Sequence, residues 1–437
     1  MLLAGAVPSG LRGSLFRVGP AMVHRRGAPP AHVFDGDGRV DKVTFLNGSV
    51  TTLSRVLETP AYLAEQACDE FVHRGAFGTS PHKSLRTLKN PANTSLFWHA
   101  NELLACWEGG VASRVNPDTL AYMGPHTMGG VATNRSPFSV QPALDSALNL
   151  GGDAVCAHPV RDPASGRLAV LLSRYSTFDT TLRFVEFHAS SWTVCRDRTL
   201  VVDGFTHVHS FALTPTDYVF FQPPLRMDFA SFRSGASVLD AIRQAPGPTR
   251  LVRLPRAPGA PARSHAVERC YATHVVSASA HHVDYFRSDE LGRTMSLHFS
   301  PARSTFADRG GGWAKTAALD DSMGEFPATH PGTPTKNHMF YSGSSQPGSS
   351  MDCWVKLDTA TGVKRFTAPT GGVRLTHLEP VFVPRSNSAD DDGWLVGFVL
   401  DGRHNLVKVV DAQTMVTACL LRTTGLNVSG LHGVWVG

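Results

Sequence analysis

Four histidines and three glutamates recur along this chain at nearly one interval. They are Glu108, His158, His209, His274, Glu325, Glu379 and His432. Successive members are 50, 51, 65, 51, 54 and 53 residues apart, a mean of 54. If the seven side chains meet in space, four imidazoles make a site for Zn, Cu, Fe or Ni. Three carboxylates just outside can hold the imidazoles in the ligand tautomer through Nδ1–H hydrogen bonds.

The length of the period indicates which elements must position these side chains. About 50 residues per repeat, repeated seven times, is typical of the blades of a β-propeller, where one residue from each blade can reach the central axis. Because the chain contains 20 histidines, chance periodicity among ordinary core histidines is the alternative. For any single histidine, that alternative is the commoner outcome. It weakens sharply for four histidines in register.

Short apolar or alternating segments bounded by turn residues dominate the rest of the chain, as at Arg39–Phe45 and Leu168–Ser173. Helical patterns are confined to Tyr62–Val72 and Ser237–Arg243. No linker separates regions that could bury independent cores. We therefore expect an all-β fold, a seven-bladed β-propeller with a few short helices and loops covering one face, formed by residues 1–437 as a single domain.

Two loops carry further expectations. The segment Phe34–Gly38, FDGDG, contains two Asp-Gly pairs, which favour a hairpin turn over a calcium loop because the further ligands of a calcium loop are missing. The Pro/Arg/Ala-rich stretch Leu254–Arg263 is interpreted as an insertion loop. Such an insertion would explain the one long gap in the series, between His209 and His274.

Composition narrows the compartment and the partners. The seven cysteines include no CxxC pair, which excludes a zinc ribbon and favours reduced thiols in an intracellular protein. The net charge of +5 comes without a long Lys/Arg run, so no nucleic-acid partner is expected. The chain shows no signal peptide and no apolar run near the ~18 residues of a spanning helix. We expect a cytoplasmic protein, or a plastid protein whose transit peptide is missing from this sequence.

The local contexts of the histidines favour a metal over core packing. The histidines lie in the segments AHP, HVHSFALT, ATHVVSASA and GLHGVWV. His207 and His209 share one face of an extended segment. Gly430 and Gly433 flank His432 and allow the backbone to approach a crowded axis. A site on an axis, approached from one face, leaves coordination positions open for substrate. This favours a redox-active iron over a closed structural zinc.

These contexts, in their order, resemble the carotenoid cleavage oxygenases, a family with apocarotenoid, stilbene and retinoid-forming members. The resemblance runs nearly end to end through short motifs: Gly13–Pro20, Phe34–Gly38, Ser54-Arg55, Asn93-Thr94, Trp107–Gly110, Ala157–Pro159, His209–Ala212, His274–Ala278, Glu325–Pro327, Glu379–Arg385 and Leu431–Val436. Three positions depart from the family pattern. Val18 stands for the usual Asn, Ser210 for Asp and Ser277 for Asn.

The resemblance implies one Fe(II) per chain, bound by His158, His209, His274 and His432. It also implies that Glu108, Glu325 and Glu379 each hold one of the iron ligands. Dioxygen would be the co-substrate. The reaction would cleave a double bond of an apolar conjugated polyene, a carotenoid or apocarotenoid, to two carbonyl products, with no side-chain acid, base or nucleophile.

Three alternatives stay open from the sequence. Two are within the family, a stilbene-cleaving dioxygenase and a retinoid isomerase. The third is a non-catalytic propeller that acts as a binding scaffold. We expect the family's N-terminal arm to be short or truncated in this sequence. Because the expected substrate is apolar, peripheral membrane association is a further expectation.

Overall fold

The computed structural model of the chain describes residues 1–79, 88–138, 151–288, 299–305, 314–320, 322–333, 336–346, 351–368, 375–402, 404–423 and 430–437. Strands predominate in this part of the chain, where seven antiparallel sheets of four or five strands are arranged as the blades of a β-propeller and one further sheet has two strands. The predicted fold class is therefore confirmed. None of the helices in the described part of the chain is long and apolar enough to cross a membrane.

The first four blades follow the chain from its N-terminal region. The first contains β32 (His432–Val436), β2 (Gly13–Ala21), β3 (Asp37–Leu46) and β4 (Ser49–Val56). The second contains β5 (Ser95–His99), β6 (Glu102–Cys106), β7 (Ala112–Val115) and β8 (Tyr122–His126). The third contains β9 (Ala154–Val155), β10 (Val160–Arg161), β11 (Leu168–Tyr175), β12 (Asp179–Phe187) and β13 (Val194–Asp203). The fourth contains β14 (Ala212–Leu213), β15 (Asp217–Gln222), β18 (Thr249–Pro255) and β19 (Arg263–Val267).

The remaining three blades complete the ring. The fifth contains β20 (Tyr271–Ala278), β21 (His282–Ser288), β22 (Ser300–Thr305) and β23 (Lys315–Ala318). The sixth contains β24 (Gly324–Ala328), β25 (His338–Gly343), β26 (Cys353–Asp358) and β27 (Lys364–Phe366). The seventh contains β28 (Thr376–Pro384), β29 (Gly393–Leu400), β30 (Asn405–Asp411), β31 (Thr417–Arg422) and β1 (Leu2–Gly5).

The two ends of the chain close the ring at two places. The C-terminal strand β32 pairs with β2, which makes it the innermost strand of the first blade. The N-terminal strand β1 pairs with β31 on the outer edge of the seventh blade. Each end thus supplies a strand to a blade built mostly from the other end of the sequence. His432, at the start of β32, is opposite Val18 in this pairing.

Helices are short and lie outside the blades. The first, α1 (Pro60–Cys68), begins where the Thr59 side chain accepts a hydrogen bond from the Tyr62 N–H, and it ends at Asp69 in the left-handed conformation. Of the helices between β15 and β18, α3 (Val238–Ala241) lies within the helix predicted at Ser237–Arg243, whereas α2 (Phe229–Arg233) was not predicted.

The long interval from His209 to His274 has a different cause from the one predicted. Between β15 and β18 the chain leaves the fourth blade to form α2, α3 and a separate two-stranded sheet, β16 (Leu225–Met227) and β17 (Ile242–Gln244). The stretch Leu254–Arg263 contributes only the connection 256–262, because its ends belong to β18 and β19. The prediction that the stretch Leu254–Arg263 is the insertion loop was therefore wrong.

The hairpin turn predicted at Phe34–Gly38 is also wrong. Val33–Asp35 form a 3-10 turn, and Asp37 already belongs to β3. The buried Asp37 carboxylate lies 2.7 Å from the Lys89 ammonium, which in turn lies 2.6 Å from Glu65 of α1. This motif therefore ties α1 to the first blade.

The apolar core lies between neighbouring blades. Leu171 and Phe184 of the third blade, for example, pack against Phe220 and Leu254 of the fourth. Similar clusters join the first blade to the second and the sixth to the seventh. Because the blades bury their apolar faces against each other, the inner ends of the blades are left for polar side chains.

Candidate metal centre

The four predicted ligand histidines converge. The Nε2 atom of His158 lies 3.1 Å from that of His209 and 3.2 Å from that of His274, and the last two are 3.3 Å apart. The His432 ring lies with its centroid 4.4 Å from that of His158. One ligand atom from each of the four rings falls within 4.8 Å of the others.

The seven periodic residues come from seven different blades, as the spacing predicted. Four lie in innermost strands: His274 in β20, Glu325 in β24, Glu379 in β28 and His432 in β32. His158 lies in the break between β9 and β10, and His209 lies just before β14.

Glu108 departs from the predicted register. It follows β6 and so lies in the connection to β7, whereas the innermost strand of its blade is β5. Its 50-residue distance from His158 therefore does not reflect an equivalent position in the blade.

Each glutamate contacts the Nδ1 atom of one histidine. The distances are 2.7 Å from Glu108 to His209, 2.6 Å from Glu325 to His274 and 2.7 Å from Glu379 to His432. Each carboxylate accepts the imidazole Nδ1–H, which leaves the Nε2 lone pair of that ring facing the centre. Backbone N–H groups of Ala157, Phe326 and Gly433 donate to the same three carboxylates.

Burial and the facing histidines favour the neutral form of two of the four imidazoles. Burial, reinforced by the facing histidines, holds the pKa values of His158 and His432 well below the usual range. Burial alone would raise the pKa of Glu108, but the facing His209 and His207 outweigh it and hold that pKa well below its usual value. Burial raises the pKa of Glu379 to about 7, against the opposing effect of Arg17. Neutral imidazoles are the form that binds a metal ion.

The donor set fits a cation. Nitrogen ligands about 2.1 Å from one first-row ion lie about 3.0 Å apart at right angles and about 3.4 Å apart at tetrahedral angles. The Nε2 separations of 3.1–3.3 Å among His158, His209 and His274 fall within that interval. Converging lone pairs repel one another unless they share a proton or a cation, and three carboxylates supply the balancing charge. Imidazole ligands suit Zn, Cu, Fe and Ni.

Arg17 was missed as a positioning residue. Its buried guanidinium donates to the carbonyl oxygens of Glu379 at 3.0 Å, Gly430 at 2.9 Å and Leu431 at 2.8 Å. It thereby fixes the strand that carries Glu379 relative to the strand that carries His432. A Cβ atom on Gly430 would lie 2.6 Å from Arg17 Nε, so the close approach predicted there is made to the arginine.

Phe326 forms an apolar border of the centre. Its ring centroid lies 6.2 Å from that of His274 and 5.5 Å from that of His432. Its φ is +60°, a conformation that is uncommon for a residue other than glycine and that clusters at functional sites. The backbone after Glu325 thus aims an aromatic ring at the space beside two imidazoles.

The departures from the family pattern leave the histidines in place. The Ser210 hydroxyl accepts a hydrogen bond from Val275 N–H at 3.1 Å, which links the His209 segment to β20. Ser277 contacts Asp284 at 3.3 Å within the fifth blade. Val18 acts through its backbone, accepting from Leu431 N–H at 2.8 Å.

His207 has a partner that the sequence did not reveal. Its Nε2 atom lies 3.4 Å from Oε2 of Glu108, the oxygen that also faces His209, and its Nδ1 atom lies 3.3 Å from the Tyr271 hydroxyl. The shared face with His209 was predicted, whereas the shared carboxylate was not. The HxH spacing was the only available signal.

A second group of potential ligands occurs elsewhere, formed by His338, Asp390 and Asp391. The Asp390 carboxylate accepts from the His338 ring at 2.7 Å and from two backbone N–H groups. Asp391 pairs with the Lys356 ammonium at 2.6 Å. Asp390 and Asp391 thus already accept hydrogen bonds or an ion pair from the protein, whereas the Nε2 atoms of the four-histidine centre face one another.

Comparison with known proteins agrees with the geometry. A family model, that of the retinal pigment epithelial membrane protein, matches residues 1–437. The chain is 28% identical to apocarotenoid-15,15'-oxygenase of Synechocystis sp., over 99% of this chain and 91% of the relative. It is 25% identical to the chloroplastic carotenoid cleavage dioxygenase 7 of Oryza sativa, over 99% and 87%.

Solved structures show the same fold. The cobalt-substituted Synechocystis apocarotenoid oxygenase matches with a TM-score of 0.87 at 24% identity, over 99% of this chain and 94% of that one. The match to the family model covers the whole sequence, and the relatives align over nearly all of it. The chain therefore belongs to the retinal pigment epithelial membrane protein family, the family of the carotenoid cleavage oxygenases.

Proposed function

We propose that this protein is a non-haem Fe(II) dioxygenase that cleaves a double bond of a carotenoid or apocarotenoid to give two carbonyl products. The observation that carries the proposal is the convergence of four Nε2 atoms, with three of the rings held from behind by carboxylates. His158, His209, His274 and His432 would hold one Fe(II) per chain. Bound iron would supply the redox chemistry that lets dioxygen react with an alkene.

The protein's own contribution is binding, orientation and exclusion of water. Glu108, Glu325 and Glu379 hold three imidazoles in the ligand tautomer, and the carboxylate charges offset part of the charge of a divalent ion. His158 has Pro159 next to it instead, which restricts its backbone. No side chain is required to transfer a proton.

The choice of iron rests on the relatives and on the ligand type. The Synechocystis structure is described as cobalt-substituted, so that protein holds a metal that cobalt can replace. Four neutral nitrogen ligands leave positions for further ligands on an octahedral ion, which suits a co-substrate such as dioxygen better than a closed tetrahedral zinc does.

The substrate class follows from the relatives and from the apolar border of the site. The relatives are named for apocarotenoid and carotenoid cleavage. Phe326 presents an aromatic ring beside the imidazoles. The buried Arg17 directs both of its Nη atoms to backbone carbonyl oxygens. An uncharged conjugated polyene fits these surroundings, and we expect it to arrive from a lipid phase by peripheral membrane association.

The test is incubation of iron-loaded protein with carotenoids, apocarotenoids and stilbenes in detergent under ¹⁸O₂. Aldehyde products from a polyene, with label in both carbonyl groups, are expected. Label in only one product, when exchange with water is suppressed, would contradict dioxygenation. Cleavage of stilbenes alone would favour the stilbene-cleaving alternative, and rearrangement without oxygen incorporation would favour a retinoid isomerase. Protein that binds no metal would point to a scaffold.

A further inference from the structure

Glu108 differs from the other two glutamates in how it is held. Its Oε2 atom lies 2.7 Å from His209 Nδ1 and 3.4 Å from His207 Nε2. Its Oε1 atom accepts a 3.3 Å hydrogen bond from Ala157 N–H. The His207 ring in turn contacts the Tyr271 hydroxyl at 3.3 Å. A continuous chain of polar contacts thus runs from Tyr271 through His207 and Glu108 to His209.

The position of Glu108 in its blade explains why it needs this support. Glu325 and Glu379 belong to innermost strands, where Glu325 pairs with Ser342 and Glu379 lies between the paired residues His377 and Pro380. Glu108 lies in the connection between the two middle strands of its blade, β6 and β7, and reaches the centre from there. The orientation of the Glu108 carboxylate therefore depends on the contacts of its own oxygen atoms. This carboxylate faces two imidazoles, those of His207 and His209.

The arrangement of His207 is that of a donor and not of a core residue. Its ring is tilted by 32° from that of His209, with centroids 6.4 Å apart, and both rings face Oε2 of Glu108. The His207 side chain is 24% exposed, a larger fraction than a closely packed core residue has. If the Tyr271 hydroxyl donates to Nδ1, then Nε2 carries the hydrogen that points at Glu108.

We infer that His207 is a positioning residue of the metal centre, which orients the Glu108 carboxylate toward His209 and is itself oriented by Tyr271. The inference rests on the proposed function, because it assumes that His209 binds the metal. It requires an N–H donor at the place of His207 Nε2. Glutamine places an amide nitrogen at the same distance along the side chain, whereas phenylalanine keeps the ring and removes the donor.

The test compares metal affinity in His207→Phe, His207→Gln, Tyr271→Phe, Glu108→Gln and the double variant Glu108→Gln/His207→Phe. Co(II) and Fe(II) dissociation constants are measured anaerobically against a chelator, and thermal unfolding of the metal-free protein reports on the fold. We expect His207→Phe to weaken binding about tenfold, at the low end of the range for groups that support a ligand. His207→Gln should restore most of that loss, and Tyr271→Phe should lose less than His207→Phe.

The double variant separates a role through Glu108 from a general structural role. Once Glu108 is Gln, the further loss caused by His207→Phe should shrink to about twofold or less, because contacting residues are not additive. His126→Phe is the matched control: His126 Nε2 lies 3.2 Å from Glu102 on the second blade, and its removal should leave metal affinity unchanged.

Each result decides the matter. Tight wild-type binding with unchanged affinity in His207→Phe would overturn the inference alone. An equal loss in the His126→Phe control, or a fully additive double variant, would overturn it as well. Wild-type protein that binds neither ion would overturn the proposed function, and the inference with it.

Discussion

The four-histidine centre and the His338 cluster are built from the same kinds of side chain but differ in where their polar atoms point. In the centre, each of three Nδ1 atoms contacts a carboxylate. The Nε2 atoms of His158, His209 and His274 lie 3.1–3.3 Å from one another. In the His338 cluster, Asp390 accepts from the imidazole and from two backbone N–H groups, and Asp391 faces Lys356.

The difference indicates that residues of ligand type suit a metal ion better when their lone pairs point at one shared position than when protein donors already occupy them. In the His338 cluster, Asp391 is paired with Lys356, and Asp390 accepts three hydrogen bonds within the protein. The centre has an excess of acceptor atoms that point at one position. A cation fits that position.

The largest effect is expected from removing a ligand. Replacing His158, His209, His274 or His432 by Ala should abolish most metal binding and activity while the fold survives, because the apolar core between the blades is separate from the centre. Metal analysis of the purified variants, with circular dichroism, checks this. His338→Ala is the matched control and should keep wild-type metal content. Full iron retention in two or more of the four variants would refute the ligand assignment.

The next effect is expected from the carboxylates. Glu→Gln at 108, 325 or 379 keeps the shape but removes the charge that polarises the imidazole N–H. Metal affinity or activity should fall about 10–100-fold in each variant. In contrast, Asp390→Asn should leave metal affinity unchanged and lower the free energy of unfolding by about 1–3 kcal/mol, because backbone N–H groups lose a charged acceptor. Wild-type affinity in all three Gln variants would show that the carboxylates do not support the ligands.

A third prediction concerns the ion pair of the second cluster. The Lys356 and Asp391 side chains are 8% and 18% exposed, so Lys356→Met leaves a largely buried carboxylate without its partner. We expect a loss of about 3 kcal/mol in the free energy of unfolding, measured by denaturant titration. The double variant Lys356→Met/Asp391→Leu should recover much of it. Reduced metal affinity at the four-histidine centre in these variants would contradict the independence of the two clusters.

The smallest effect is a pH dependence near the second cluster. Burial lowers the pKa of Lys336 to about 8, although Asp390 acts in the opposite direction. The unfolded chain keeps a lysine pKa of about 10.4, so between those values the unfolded state binds more protons and stability rises with pH, by at most about 1.4 kcal/mol per unit. Lys336→Met should remove this rise between pH 8 and 10. An identical pH slope in both proteins would refute the shift.

How far the sequence predicted the site depends on the residue. The interval of 54 residues correctly indicated seven blades that each contribute one side chain, because the blade is the repeating unit of the fold. Spacing counts residues and not strands, however. It could not show that Glu108 lies in the connection after β6, nor that His207 and Tyr271 lie beside it. Those contacts arise only when distant segments are brought together.

Predictions from local motifs failed for the same physical reason, because the decisive contacts join segments that are distant in the sequence. FDGDG has the composition of a turn, yet Asp37 pairs with Lys89 about fifty residues away in the sequence. Arg17 was visible only as part of a motif, since its three carbonyl acceptors lie near the C-terminal end of the chain. The helix α2 between β15 and β18 is too short for hydrophobic periodicity to reveal, whereas α3 lies within the helix predicted at Ser237–Arg243.

The most direct test of the account is X-ray absorption at the iron edge on wild-type protein loaded anaerobically with Fe(II). The account predicts one ion per chain with four imidazole nitrogens in its coordination sphere, and loss of that signal when His158 and His432 are both replaced by Ala. Iron without imidazole scattering, or the same spectrum in the double variant, would contradict the assignment of the four-histidine centre as the metal site.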